Sequence, residues 1–339
     1  MKKWMSIVLA TLMTVLLLAG CGGQETNSSV VSAPATKANV NVVAIAGPTG
    51  VGMVDLMQKD AAGTAANEYT FNLVSDPQQA VAAISQKKAD IAAVPTNLAS
   101  TLYKKTNGNV QVLALNTLGV LYMLENGNTV KTVADLKGKT IYTSGQGANP
   151  EYILRYVLEK NNIDPDKDVT IKFVADNDQL TAAVATGEAQ VAMVPEPKVT
   201  ACRVQMKAKD KTPATIALNM TEEWQKVANG ESALVMGCVI VRKDFAAANP
   251  AAVTAFLTEY EASINTVKAD VDAAAVLCET YGVIPKAAIA KQAIPNCNLT
   301  FVKGEAMKSQ LKGYLTVLHG YNPAAIGNAL PADDFYYGG

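Results

Sequence analysis

Histidine is almost missing from this sequence: of 339 residues, only His319 is one. A Ser-His-Asp relay or a His-based metal set cannot be built around a single imidazole. Its place near the end of a helical pattern suits a surface or capping role. Cysteine is also sparse and scattered, with no cluster at metal-ligand spacing. Aromatic residues make up 6% of the chain, which leaves Tyr122 and Trp224 as the aromatic candidates for a binding site, with core packing at a helix start the favoured reading of Trp224. Charge of one sign is not in excess: 29 Lys and Arg face 30 Asp and Glu, a net of −1. Without a basic stripe, nucleic acid is excluded as a partner. Nucleotide chemistry is missing too. The glycine-rich stretch Gly47 to Gly52 continues into Met53 and Val54, where a phosphate loop needs Lys and then Ser or Thr. Gly145-Gln146-Gly147 leads to Pro150, where a dinucleotide fingerprint needs a third glycine. No catalytic residue, metal ligand or cofactor is expected.

What is present starts at the first residues. Lys2 and Lys3 precede an uncharged apolar stretch from Ile7 to Leu18, too short to span a bilayer comfortably as a mature helix. It ends in Leu18-Ala19-Gly20-Cys21, which resembles a bacterial lipoprotein signal. The expectation is removal of residues 1–20 and lipidation of Cys21; the alternative is an ordinary secretory leader with a chance cysteine. Residues 21–39 are rich in small polar residues and read as a flexible tether. Two acyl chains would anchor the protein stably at the outer face of the bacterial cytoplasmic membrane. No later apolar run is long enough to span. Four cysteines remain, Cys202, Cys238, Cys278 and Cys297. An even count outside the cytoplasm permits disulfides, with Cys278 to Cys297 and Cys202 to Cys238 as the expected pairs. Buried free thiols are the alternative.

The remainder alternates strand-like and helical runs, an α/β pattern. Strands are expected over 41–46, 69–73, 91–94 and 110–115, and again over 140–142, 169–174 and 191–194. The two series match. Residues 76–95 align without a gap onto 176–195, with Asp76, Gln79, Ala82, Ala83, Ala89, Ala92, Val94 and Pro95 each meeting an identical residue one hundred positions on. Such a long period predicts two similar lobes rather than a solenoid. Leu121 to Glu125 and Ala233 to Val241 are the expected crossings of a two-strand hinge. Lobe 1 then comprises 40–120 and 238–339, and lobe 2 comprises 121–237.

In open α/β sheets a ligand lies beyond the carboxyl ends of the strands, so the loops there are the candidate site. Thr49 and Gly50 follow the first strand of one unit; Ser144, Gln146 and Gly147 follow that of the other. Asn149 suits an N-cap and Pro150 the first helical position after it. Thr96, Asn97 and Glu196 follow the third strands, where each also suits a plain capping role. Tyr122 lies on the outward crossing. A Glu held between Pro195 and Pro197 favours an amine or ring N–H, so the expected solute is neutral or N–H-bearing.

Across nearly its whole length the chain resembles the substrate-binding proteins of ABC importers for nitrate, sulfonates, taurine and thiamine precursors. The resemblance is carried by the lipoprotein start, by Leu136-Lys-Gly-Lys-Thr-Ile141 leading into Ser144-Gly-Gln-Gly147, and by Val194-Pro-Glu-Pro197. Glu223-Trp224, Val241-Arg-Lys-Asp-Phe245 and Asn249-Pro250 continue it. It implies a type II periplasmic-binding-protein fold, a small-molecule solute, and a permease with its ATPase as partners of a monomeric binding protein. The rivals are a ligand sensor for a signalling partner and an enzyme on the same fold. The pyrimidine synthase similar to this family uses a cysteine-dense motif, which this sequence lacks.

Overall fold

The computed structural model describes residues 37–338. The leader, Cys21 and most of the 21–39 segment lie outside the described residues. The first sheet begins with β1 (Asn39–Ile45), β2 (Glu68–Val74), β3 (Ile91–Pro95) and β4 (Val110–Leu118). The chain then crosses into a second sheet of β5 (Leu121–Glu125), β6 (Thr140–Ser144), β7 (Thr170–Val174), β8 (Val191–Pro195) and β9 (Thr215–Asn219). It returns in β10 (Val235–Arg242), and β11 (Leu299–Val302) adds an edge. The strand orders are β11-β4-β10-β3-β1-β2 and β7-β6-β8-β5-β9. Helices cover these two sheets, which makes the fold a two-lobed α/β arrangement.

The internal repeat is a repeat of structure. In one sheet β1 pairs parallel with β2 and β3; in the other, β6 pairs parallel with β7 and β8. The registers correspond as well: Val42 faces Ile91 and Ile141 faces Val191. Each unit is completed by an antiparallel strand from the crossing segments, β10 against β3 and β5 against β8. Pro95 faces Gly237 and Pro195 faces Leu121, so the two prolines mark the ends at which the crossing strands enter. The aspartates repeat a cap. Asp76 accepts from the Gln78 amide at 2.9 Å, and Asp176 accepts from the Asp178 and Gln179 amides at 2.9 and 2.8 Å. A carboxylate at that position satisfies helix amides that have no intrahelical partner.

The outward crossing runs through Gly119. Its carbonyl accepts from Thr221 Oγ1 at 2.9 Å and Asn298 Nδ2 at 2.5 Å. A Cβ there would lie 2.2 Å from Thr221 Oγ1 and 2.5 Å from Leu234, so only glycine fits beneath the helix Met220–Ala228. On that helix Trp224 is fully buried. It packs against Tyr156 at 4.2 Å and Tyr314 at 5.6 Å between ring centroids, and its indole N–H donates to Ser232 Oγ at 3.0 Å. Burying an aromatic of this size is worth about 4–6 kcal/mol of transfer free energy. Tyr314 belongs to the helix Gly304–Tyr321, which also packs on β4 and β10. One apolar cluster therefore runs from Leu115 and Ile240 of the first sheet to Met123 and Met193 of the second.

The expected disulfides are not formed. All four cysteines are free and buried. Cys202 packs in the core of the second sheet and Cys238 in the core that includes β10, so that pair lies in separate clusters. Cys278 and Cys297 share a third cluster as thiols. Burial pushes the Cys278 thiol up to about 12, and such side chains act as small hydrophobes.

Candidate functional site

The carboxyl ends of β1, β2, β3, β6 and β7 face one cleft of about 470 Å³. Each wall comes from the loops that the repeat duplicates. Pro48 and Thr49 follow β1, Asp76 to Gln78 follow β2, and Pro95, Asn97 and Leu98 follow β3. From the other sheet, Ala148 to Pro150 follow β6 and Asn177 follows β7. Thr117 of β4, Val120 of the outward crossing and Met236 of β10 also contribute. Helices begin on these loops because their first residues suit a start. Pro77 and Pro150 occupy early helical positions, where a missing N–H costs nothing.

Thr49 and Asn97 line this cleft. The Thr49 carbonyl accepts from Asn116 Nδ2 at 3.2 Å. Asn97 Nδ2 donates to the Ala325 carbonyl at 3.4 Å, and Asn97 Oδ1 accepts from Asn149 Nδ2 at 3.1 Å. Asn149 is therefore not the N-cap expected of it. Ala148 is the cap, Asn149 is the first helical residue, and its amide reaches across the cleft instead.

The other candidates lie elsewhere. Gly50 is buried, and a Cβ on it would meet the Ile45 carbonyl at 2.5 Å. Thr96 Oγ1 donates to the Val235 carbonyl at 2.8 Å and ties β10 to the third-strand loop. Ser144 Oγ donates to Asn177 Oδ1 at 2.7 Å, which orients a cleft residue from behind. Gln146 and Gly147 are exposed, and the Gly147 amide donates to Glu151 Oε2 at 2.7 Å.

Glu196 and Tyr122 form a junction of their own. The Tyr122 hydroxyl donates to the Asn296 carbonyl at 2.8 Å. The Glu196 carboxylate accepts from the Thr200 amide at 3.2 Å, from Thr200 Oγ1 at 3.0 Å and from Asn296 Nδ2 at 3.3 Å. Burial raises the Glu196 carboxyl above its ordinary range, opposed by the Thr200 and Asn296 bonds. Burial and the neighbouring Glu196 raise the Tyr122 phenol as well. These side chains join the second sheet to the segment after the helix Ala287–Ala293; they do not line the cleft.

Sequence reasoning missed the second-strand loops as walls. Asp76 and Asn177 were legible only as parts of a cap, although the aligned aspartates already marked both loops as equivalent. Thr117 and Met236 carried no sequence signal, because each is one apolar-patterned residue of a buried strand.

Residues 64–277 match the sequence model of a family described as ABC transporter, phosphonate, periplasmic substrate-binding protein. No curated protein matches the sequence. Solved structures share the fold at low identity. An ABC transporter protein from Parabacteroides distasonis is 18% identical with a TM-score of 0.73, over 88% of this chain and 99% of that one. The periplasmic aliphatic sulphonate binding protein SsuA of Escherichia coli is 12% identical with a TM-score of 0.69, over 89% and 92%. The alkanesulfonate-binding protein SsuA from Xanthomonas axonopodis pv. citri, bound to MOPS, is 15% identical with a TM-score of 0.60, over 88% and 96%.

Proposed function

The chain belongs to the phosphonate periplasmic substrate-binding family of ABC transporters, and we propose that its cleft captures one small organic solute by closure of two lobes. The lobes are 40–120 with 238–339, and 121–237. The observation that carries this reading is the convergence of duplicated strand-end loops on one cleft of about 470 Å³, within the size range of small-molecule sites. Thr49 and Asn97 contact the solute directly. Ser144 acts behind Asn177, and Glu196 and Tyr122 hold the junction between lobes. A solute that binds only the closed form shifts the population toward it, and the closed form is what the permease and its ATPase engage.

The protein acts as a monomer, tethered through lipidated Cys21 and residues 21–39 to the outer face of the bacterial cytoplasmic membrane. Mass spectrometry of the membrane-extracted chain tests the anchor: an unmodified Cys21, or a mature chain cleaved elsewhere, overturns it. Solute capture is tested by thermal shift against a panel of small organic compounds, since a ligand present at 100 times its Kd stabilises by about 2.7 kcal/mol. Binding of a glycan or protein with no response to any small solute overturns the capture reading.

A further inference from the structure

Resting on that reading, the side chains of the cleft specify the solute further. We propose that the cleft takes an organic solute with an apolar body that donates hydrogen bonds through N–H groups, and that it rejects phosphonate and sulfonate oxyanions.

The first observation is charge. Among the described residues that line the cleft, the only ionisable side chain is Asp76. No Lys or Arg lines it, so an oxyanion would meet a carboxylate and no counter-charge.

The second observation is the set of unpaired buried atoms. Thr117 Oγ1 and Asn149 Oδ1 are buried, have no hydrogen-bond partner, and belong to residues that line the cleft; Thr117 is 1% exposed and Asn149 7%. The network fixes which amide atom of Asn149 is free. The Ala325 carbonyl can only accept, so Asn97 must present Nδ2 to it and Oδ1 to Asn149. Asn149 must then present its own Nδ2, which leaves Oδ1 as a buried acceptor. Asn116 is fixed by the same logic: its Nδ2 faces the Thr49 carbonyl, and its unpaired Oδ1 lies beside Gly237, Thr49 and Thr117. Buried acceptors without a donor are costly. Thr117 Oγ1 can donate as well as accept, but the Asn149 and Asn116 oxygens only accept; a solute N–H that reaches them relieves that cost, whereas an oxyanion brings only further acceptors.

The third observation concerns helix ends, which ordinarily favour anions. At three of the helix ends near the cleft that attraction is taken up, whereas the end of Thr96–Lys105 carries neither an acidic residue nor a side-chain cap. Asp76 and Asp176 cap the helices Pro77–Ser85 and Asn177–Thr186, and Glu151 occupies the first turn of Asn149–Lys160. Pro77 and Pro150 remove two amides from those ends. The wall also carries the amides Gln78 and Asn177, and its apolar part, Pro48, Pro95, Leu98, Val120 and Met236, fits a hydrocarbon or ring body. Glu196, hydrogen-bonded at the junction, is not needed for this selectivity.

The test uses the full chain in detergent micelles and four probes that share one apolar body: benzylamine, benzamide, benzylphosphonate and phenylmethanesulfonate. Each is titrated calorimetrically at pH 7. The N–H-bearing probes are expected to bind tighter than both oxyanions by roughly tenfold or more, because like charges in one site repel. Asn still caps a helix, so Asp76→Asn should weaken benzylamine about five-fold and leave benzamide within about two-fold. Thr117→Val should weaken the preferred probe by about five-fold. Tighter binding of either oxyanion overturns the inference and leaves the binding-protein reading standing. If all four probes are silent, the solute released by denaturing the chain after exposure to a metabolite extract decides: an N–H-bearing compound supports the inference and an oxyanion overturns it. Release of no small solute at all overturns both this inference and the capture reading.

Discussion

The side-chain amide of Asn149 donates to Oδ1 of Asn97 at 3.1 Å, joining the first turns of two helices that follow β6 and β3. The two residues occupy walls that belong to different sheets, so the bond exists only when the walls are close. It is one of several contacts between lobes, along with Tyr122 to Asn296 and Asn322 to the Tyr152 hydroxyl at 2.8 Å.

Removing the first of these contacts should favour opening. Asn97→Ala deletes a neutral hydrogen bond worth about 1 kcal/mol, which lowers the closed population about five-fold relative to the open one. Small-angle scattering of the solute-free chain should report a larger radius of gyration. An unchanged radius would show that the bond does not hold the walls together.

Glu196 predicts a pH dependence of stability. Its carboxyl titrates higher in the folded protein than in the unfolded chain because it is buried. The folded state therefore binds more protons over the interval between the two values, and stability falls as pH rises through it. Urea midpoints measured from the ordinary carboxylate range upward should decline in the wild type and decline less in Glu196→Gln. Parallel curves for the two proteins would remove Glu196 as the source.

Gly237 has no room for a side chain. A Cβ on it would lie 2.6 Å from Asn116 Oδ1, 2.7 Å from Thr49 Cγ2 and 2.9 Å from Thr117 Cβ. Overpacking of this kind costs typically about 1–3 kcal/mol, and here it displaces two residues of the cleft. Gly237→Ala should lower the urea midpoint and weaken solute binding together. A variant with native affinity would show that the floor yields without consequence.

Thiol chemistry follows from burial. Cys202, Cys238, Cys278 and Cys297 are free and buried, and burial raises all four thiols. Since the thiolate is the reactive form, an aromatic disulfide reagent should label none of them in the native protein and all of them in guanidinium. Native labelling of any of the four, or loss of labelling without a reductant, contradicts this arrangement.

The fold was legible where a pattern repeats. Asp76 and Asp176 cap, Pro95 and Pro195 end strands, and Leu121 to Glu125 forms the expected crossing. The strands β9 and β11 were not legible. They are short edge strands with half-exposed residues, and neither period develops over four or five positions. The site was legible to the level of strand-end loops but not of side chains. Glu196 between two prolines reads as a fixed ligand carboxylate, yet Thr200 and Asn296 supply its partners, and a contact between residues 100 positions apart leaves no local trace. Asn149 reads as a cap for the same reason: its actual partner, Asn97, lies on the other sheet.

The apolar cluster shared by the two sheets also governs how the molecule comes apart. Trp224 belongs to the second sheet's helices, and Tyr314 belongs to a helix that rests on the first, so neither sheet can lose its order without exposing large rings of the other. Calorimetry of residues 37–338 should then give a single endotherm with matching van't Hoff and calorimetric enthalpies. Under the proposed closure the lobes pivot as two bodies around a solute, but they should melt as one.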